Sequence, residues 1–206
     1  MAASERRREE AAGPQPQPIL RGQLVWLRPA ERDDIDRFVD WLNDAETAAH
    51  LALRSPLSHA LEERWFESMV ERHGRELYHF VICRLDDGQP IGTIGLEEID
   101  HLNGSAAFGI AIGDKALWGH GYGPDAVATL CDFGFGELRL ERIWLDVYAD
   151  NARAKRAYEK AGFRHEGTLR HAHFTRGRHE DVDRMALLRD EWLARRQDGT
   201  AGDPAT

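Results

Sequence analysis

Residues 110–123 read IAIGDKALWGHGYG. An apolar strand pattern runs into a polar turn, a glycine-rich loop and a helix predicted to begin at Pro124, a residue suited to the first helical position. Gly119, Gly121 and Gly123 let the backbone bend tightly and bring its N–H groups close to a ligand. A helix N-terminus adds free N–H groups and the positive end of a dipole, a combination that binds anions and above all phosphate. The chemistry implied is capture of a phosphorylated cofactor. No Lys-Ser or Lys-Thr pair follows the last glycine, so the loop is not a P-loop. The G-x-G-x-G spacing, past the middle of the chain, also departs from the dinucleotide fingerprint. An ordinary strand-to-helix turn would carry similar glycines, so a second signal is needed.

That signal lies downstream, where residues 142–163 read RIWLDVYADNARAKRAYEKAGF. The pattern is a strand, an Asp-Asn turn, a short helix and a stop at Gly162. Asn151 stands at the helix start, an N-cap position. Tyr158 lies two turns on and shares its face. Taken together, the two segments resemble the GNAT superfamily of N-acetyltransferases. The likeness is greatest to its branch of ribosomal-protein N-terminal acetyltransferases and spermidine acetyltransferases. WGHGYG matches the acyl-CoA pyrophosphate loop of that family, and Asn151 through Tyr158 to Gly162-Phe163 matches its second signature. The segment GFRHEGTLRHAHFTRGRHEDVDRMALL is similar to its closing pair of strands. The resemblance extends over about Leu24 to Trp192.

The resemblance implies acetyl-CoA as acyl donor, with no metal. Backbone N–H groups over Trp118, Gly119, His120, Gly121, Tyr122 and Gly123 would cradle the pyrophosphate. Trp118 stands where the family often has Gln or Arg, and Pro124 replaces a residue that would add an N–H. The strand Ser105–Ile112 would splay from Arg142–Tyr148, so that Phe108, Ile110, Ala111 and Ile112 bind the pantetheine arm like an added strand and polarise the thioester carbonyl. Asn151 would bond the same arm. Tyr158 is the expected general acid for the leaving thiolate, its phenol having an ordinary pKa near ~10. The general base is less well marked. Where related enzymes often place a strand glutamate, this chain has Ala107. The candidates are Glu97, Glu98, Asp100 and Asp146, with Glu98 ranked first; strand alternation puts Glu98 and Asp100 on one face.

The acceptor expected is a primary amine: a polyamine, an amino sugar or antibiotic, or a protein N-terminus. Transfer would be direct, in a ternary complex. The alternative is a noncatalytic acyl-CoA-binding regulatory module, which Ala107 keeps open. A nucleotide-binding regulator is a third reading and predicts binding of ATP or NAD.

Other polar and aromatic residues carry less. His171 and His173 form an H-x-H pair on one strand face, yet no cysteine or carboxylate completes a metal set. Trp26, Trp41 and Trp65 read as core residues before pocket residues. Cys83 and Cys131 both fall in apolar patterns and read as small core residues, which favours a reducing, cytoplasmic setting.

The 206 residues carry a formal net charge of −9, with 42% hydrophobic and 31% charged residues. This is a soluble globular composition for one domain. The charge argues against nonspecific nucleic-acid binding and leans weakly toward cationic partners. No stretch is apolar for long enough to span a bilayer. Charge and proline fill residues 1–18, so this segment is predicted to be a disordered tail, as are residues 197–206.

Positioning these groups requires residues 19–196 to fold as one α/β domain. Its expected order is one strand from Leu24, two helices near 33–42 and 58–73, three strands, a helix over 124–136, a strand, a helix over 152–160 and two closing strands. That makes a mixed, mostly antiparallel sheet of about seven strands with helices on both faces. In the second helix Leu61, Trp65 and Met69 are spaced to share a side. Dimerisation through the last strands is an expectation.

Overall fold

The computed structural model describes residues 19–197 except 52, 54 and 176. Of the tails predicted at 1–18 and 197–206, residues 1–18 and 198–206 lie outside the described residues, and Gln197 closes the last helix. The chain runs β1 (Leu20–Arg21), β2 (Val25–Pro29), α1 (Ile35–Asn43), α2 (His59–Arg72), β3 (Tyr78–Arg84), β4 (Pro90–Asp100), β5 (Ser105–Ile112), α3 (Tyr122–Gly136), β6 (Arg142–Tyr148), α4 (Ala152–Ala161), β7 (Arg164–Thr175), β8 (Arg178–Leu188) and α5 (Arg189–Gln197). The strands form one sheet in the order β1-β2-β3-β4-β5-β6-β8-β7. Two elements exceed the sequence expectation: the two-residue strand β1 and the final helix α5.

The sheet has helices on both faces because its strands alternate apolar residues to both sides. Val81 and Cys83 pack with Ile35, Phe38 and Val39 of α1 and with Phe66 and Met69 of α2. On the other face Phe80, Ile82, Ile94, Leu96 and Phe108 pack with Val127, Leu130 and Phe135 of α3, and with Ala154 and Tyr158 of α4. Phe135, Leu130 and Ile143 are wholly buried, each contributing about 2–3 kcal/mol of apolar transfer. Trp192 of α5 closes this layer; its indole packs on Phe135 at 5.4 Å and donates to Asp132 at 2.8 Å. Cys83 and Cys131 are both buried thiols without a disulfide, as their apolar surroundings predict.

The β5–β6 pair creates the site. The two strands run parallel and are hydrogen-bonded only where Ser105–Ala107 faces Arg142–Trp144. Beyond Ala107 they part. Gly109 to Ile112 continues its ladder with β4, and Leu145–Tyr148 continues its ladder with β8. The edges that face each other across this splay have no strand between them. Beneath the parting point, the Phe108, Tyr158 and Phe163 rings form a wedge, with Phe108 edge-on to Tyr158 at 5.5 Å.

Candidate active site

Helix α3 begins at Tyr122, two residues ahead of the expected Pro124. Gly121 makes this possible: it is the N-cap residue at φ +89°, a conformation that L side chains avoid. Pro124 then occupies the third helical position, where an N–H would also lack a partner in the helix. The N–H groups of Gly119, His120, Gly121, Tyr122 and Gly123 have no hydrogen-bond partner among the described residues. Trp118 differs from the expected cradle: its N–H is held by the Lys115 carbonyl at 3.2 Å. Its indole instead donates to the Ile112 carbonyl at 2.9 Å and lies under the Arg153 guanidinium at 4.1 Å. The tryptophan therefore ties the loop to the end of β5 and to α4.

An acidic residue in the first turn would oppose an incoming anion, yet Asp125 is already engaged. It accepts N–H bonds from Gln23 at 3.0 Å, Leu24 at 2.8 Å and Val25 at 2.9 Å, pinning the β1–β2 turn to α3. Asp125→Ala is expected to lower unfolding free energy by about 2–4 kcal/mol, since three N–H groups lose a charged acceptor. Urea titration measures this, and a loss under about 0.5 kcal/mol would contradict the pinning.

Asn151 caps α4: its side-chain oxygen accepts the Ala154 N–H at 3.1 Å. The side-chain amide has no partner among the described residues and remains available as a donor. Gly162 ends the helix at φ +105°. Tyr158 points from α4 to the wedge under the splay, and its hydroxyl makes no hydrogen bond among the described residues. Burial pushes its pKa up to about 12, with Arg153 pulling the other way. The group is therefore a neutral phenol, able to donate. Phe108 presents its ring to the same wedge, so only its backbone faces the splay.

The other face of the sheet carries a cavity of about 450 Å³. Its floor is a transverse row in which His79 pairs with Gly95 and Gly95 with Gly109, flanked by Thr93, Glu97 and Ala111. Its roof includes Phe38, Trp41 and Leu42 of α1, Leu57, and Leu61 and Trp65 of α2. Trp41 and Trp65 thus line a pocket, and Trp41 also packs against the core beneath α1. The register of α2 also differs from expectation: its buried row is Glu62, Phe66 and Met69, one residue on from the Leu61-Trp65 pair. A second cleft, lined by Glu159 of α4, Arg164 of β7, and Asp190 and Arg195 of α5, contains none of the expected site residues.

Among the four carboxylates considered for the base, Glu97 is the one lining this cavity. Glu98 is exposed at φ +50°, inside a bulge where the β4–β5 register slips between Glu97 and Asp100. The bulge breaks the alternation expected to place Glu98 beside Asp100. Asp100 holds the following turn through Leu102 and Asn103 N–H groups, each at 2.9 Å. Asp146 is clamped by Arg184 through two bonds of 2.8 Å. The histidines separate likewise. A register shift between Leu169 and His173, with His171 at φ +54°, breaks the face they were expected to share. His171 stacks on His179, while His173 lies 3.4 Å from the Tyr148 hydroxyl.

His79 has a buried Nε2 with no partner among the described residues. Its ring meets Trp65 edge-on at 4.8 Å. Burial, with a smaller contribution from His73, pushes its pKa down to about 4. Between its unfolded value near 6.5 and about 4 the unfolded chain binds the proton and the folded chain does not. Stability is therefore expected to fall by on the order of 2–3 kcal/mol as pH drops through that window. His79→Leu should remove most of that slope. His73, also depressed by burial, would leave a remainder. Glu62, raised by burial, contributes with the opposite sign in this window, so the difference between the parent and the variant isolates His79; the lowered carboxylates Asp34 and Asp183 act below pH 4. Chemical denaturation from pH 7 to 4 tests this, and an identical slope in the variant would contradict it.

Residues 25–164 match the family model for the acetyltransferase (GNAT) domain. The chain belongs to the GNAT acetyltransferase family. Spermidine N(1)-acetyltransferase of Vibrio cholerae is 32% identical to this GNAT protein over 182 residues, covering 85% of this chain and 99% of the relative. The Escherichia coli K12 spermidine N(1)-acetyltransferase is 31% identical, over 82% of this chain and 89% of its own. A crystal structure of the Vibrio cholerae enzyme with CoA and spermine superposes at a TM-score of 0.77 and 28% identity, covering 82% of this chain and 98% of that one. This GNAT protein is thus an acetyl-CoA-dependent N-acetyltransferase. Free loop N–H groups, the open β5 edge and the cavity behind it suit a pyrophosphate, an extended pantetheine arm and an acceptor, in that order.

Proposed function

We propose that this enzyme acetylates a primary amine that enters through the α1–α2 cavity, while acetyl-CoA lies in the splay between β5 and β6. The observation that carries this reading is the splay itself, which separates an anion-binding loop on one face from an amine-sized cavity on the other. Acetyl-CoA supplies an activated thioester. The N–H groups of Gly119 to Gly123 would hold its pyrophosphate, and the Asn151 amide and the β5 backbone from Phe108 to Ile112 its arm. A β5 N–H would polarise the carbonyl. The amine nitrogen forms the new C–N bond as the C–S bond breaks; the amine loses a proton and the sulfur gains one.

Tyr158 would give its phenolic proton to the sulfur, being neutral, unbonded and aimed at the splay. Glu97 is placed better than Glu98 to accept the amine proton, directly or through water. Two free, buried cysteines support a cytoplasmic setting, and the exposed edge strand β7 leaves room for a second copy. Among the described residues no helix is long and apolar enough to cross a membrane.

Release of free CoA thiol from acetyl-CoA, measured with and without a primary amine, tests the function. Amine-dependent release supports it; acetyl-CoA binding with no release for any amine would favour the regulatory-module reading.

A further inference from the structure

The acceptor cavity contains a residue that its apolar walls do not explain. Glu62 is 4% exposed and lies in the buried row of α2 beside Phe66 and Met69. Its side chain lines the cavity and makes no hydrogen bond or ion pair among the described residues. Leaving an ionised carboxylate buried and unpaired costs several kcal/mol, so such groups are normally paired, neutralised or removed. Burial raises its pKa accordingly. The same cavity is lined by Phe38, Trp41, Leu42, Leu57 and Trp65, with the His79 Nε2, unpartnered among the described residues, on the floor.

Resting on the acetyltransferase reading above, we propose that the acceptor is an amine bearing a single cation on a bulky aromatic or branched aliphatic body, and that Glu62 is the carboxylate that captures its ammonium on entry, before the nitrogen loses its proton and reaches β5. One buried negative charge answers one positive charge. Aromatic faces and leucines take up a ring or branched chain by burial, and the indoles of Trp41 and Trp65 also favour a nearby cation. A polyamine would have to strip water from two or three cations along walls of leucine and tryptophan. The other cavity carboxylate, Glu97, is exposed where the splay begins, so solvent screens it.

The experiment compares initial rates of CoA release at saturating acetyl-CoA with 2-phenylethylamine, 3-methylbutylamine, spermidine and glucosamine. The expected result is a kcat/KM for the first two that exceeds the others by about tenfold or more. Glu62→Gln, which keeps the side-chain shape, should raise KM for 2-phenylethylamine by about tenfold or more, the loss of one charge-assisted hydrogen bond. Its kcat and acetyl-CoA affinity should stay within about threefold. Its melting temperature should hold or rise, because a desolvated charge is gone. A preference for spermidine or glucosamine, or an unchanged KM in Glu62→Gln, overturns the inference while acetyl transfer stands. CoA release with none of the four, with acetyl-CoA still bound, overturns the acetyltransferase reading itself.

Discussion

Replacing Tyr158 with Phe is expected to lower kcat by about 100-fold or more, the usual contribution of a positioned general acid. The variant keeps the ring, and with it the contacts to Phe108 and Phe163. Only the hydroxyl disappears, and that hydroxyl bonds nothing among the described residues. Stability should therefore be unchanged, and acetyl-CoA affinity should move by no more than about threefold. Steady-state rates together with a direct titration of acetyl-CoA separate the two effects. Because burial holds the phenol neutral well above neutral pH, its donor form should persist across the assay range. An unchanged kcat would remove Tyr158 from proton transfer.

A similarly large loss is expected from Gly109→Leu, by a different route. A Cβ built at Gly109 meets nothing within 4 Å, and its φ lies outside the left-handed region. The strand can therefore carry a larger residue without strain. Its side chain would project into the cavity floor beside the point where β5 leaves β6, the position assigned to the reacting amine. A displacement of about 1 Å at a reacting centre is enough to lose about 100-fold. Amine kcat/KM should fall by that factor or more, with a melting temperature within a few degrees of the parent. Gly95 in the same row makes the contrast: a Cβ there would come within 2.7 Å of the Tyr78 carbonyl oxygen. Gly95→Ala should therefore destabilise the sheet itself. Full activity in Gly109→Leu would place the acceptor elsewhere.

Much of the site was legible because its parts are backbone devices with local signals. Glycines at 119, 121 and 123, the Asn151 cap and the Gly162 stop each follow from a turn or a helix end. The splay came from family likeness, and the pairing of β5 with β6 over three residues bears it out. Details that depend on packing were harder to read. In α2, Leu61-Trp65-Met69 and Glu62-Phe66-Met69 both satisfy helical spacing, and apolarity favoured the first. The fold chose the second because Leu61 and Trp65 have a cavity to line, which left a glutamate inside. The bulge at Glu98 lacks a glycine to announce it, and one slipped residue was enough to reorder the acidic candidates. The same holds for His171 and His173. Strand β1 is too short for periodicity, and α5 earns its place through Trp192, whose partners Phe135 and Asp132 are distant in sequence.

The most direct test is amide hydrogen exchange of the protein with and without saturating acetyl-CoA. New protection is expected in two stretches, residues 108–112 of β5 and residues 119–123 of the loop. Helices α1 and α2, which roof the cavity proposed for the acceptor, should change little until an amine is added. Protection confined to other segments, or unchanged exchange in β5 while acetyl-CoA binds, would contradict placement of the cofactor in the splay.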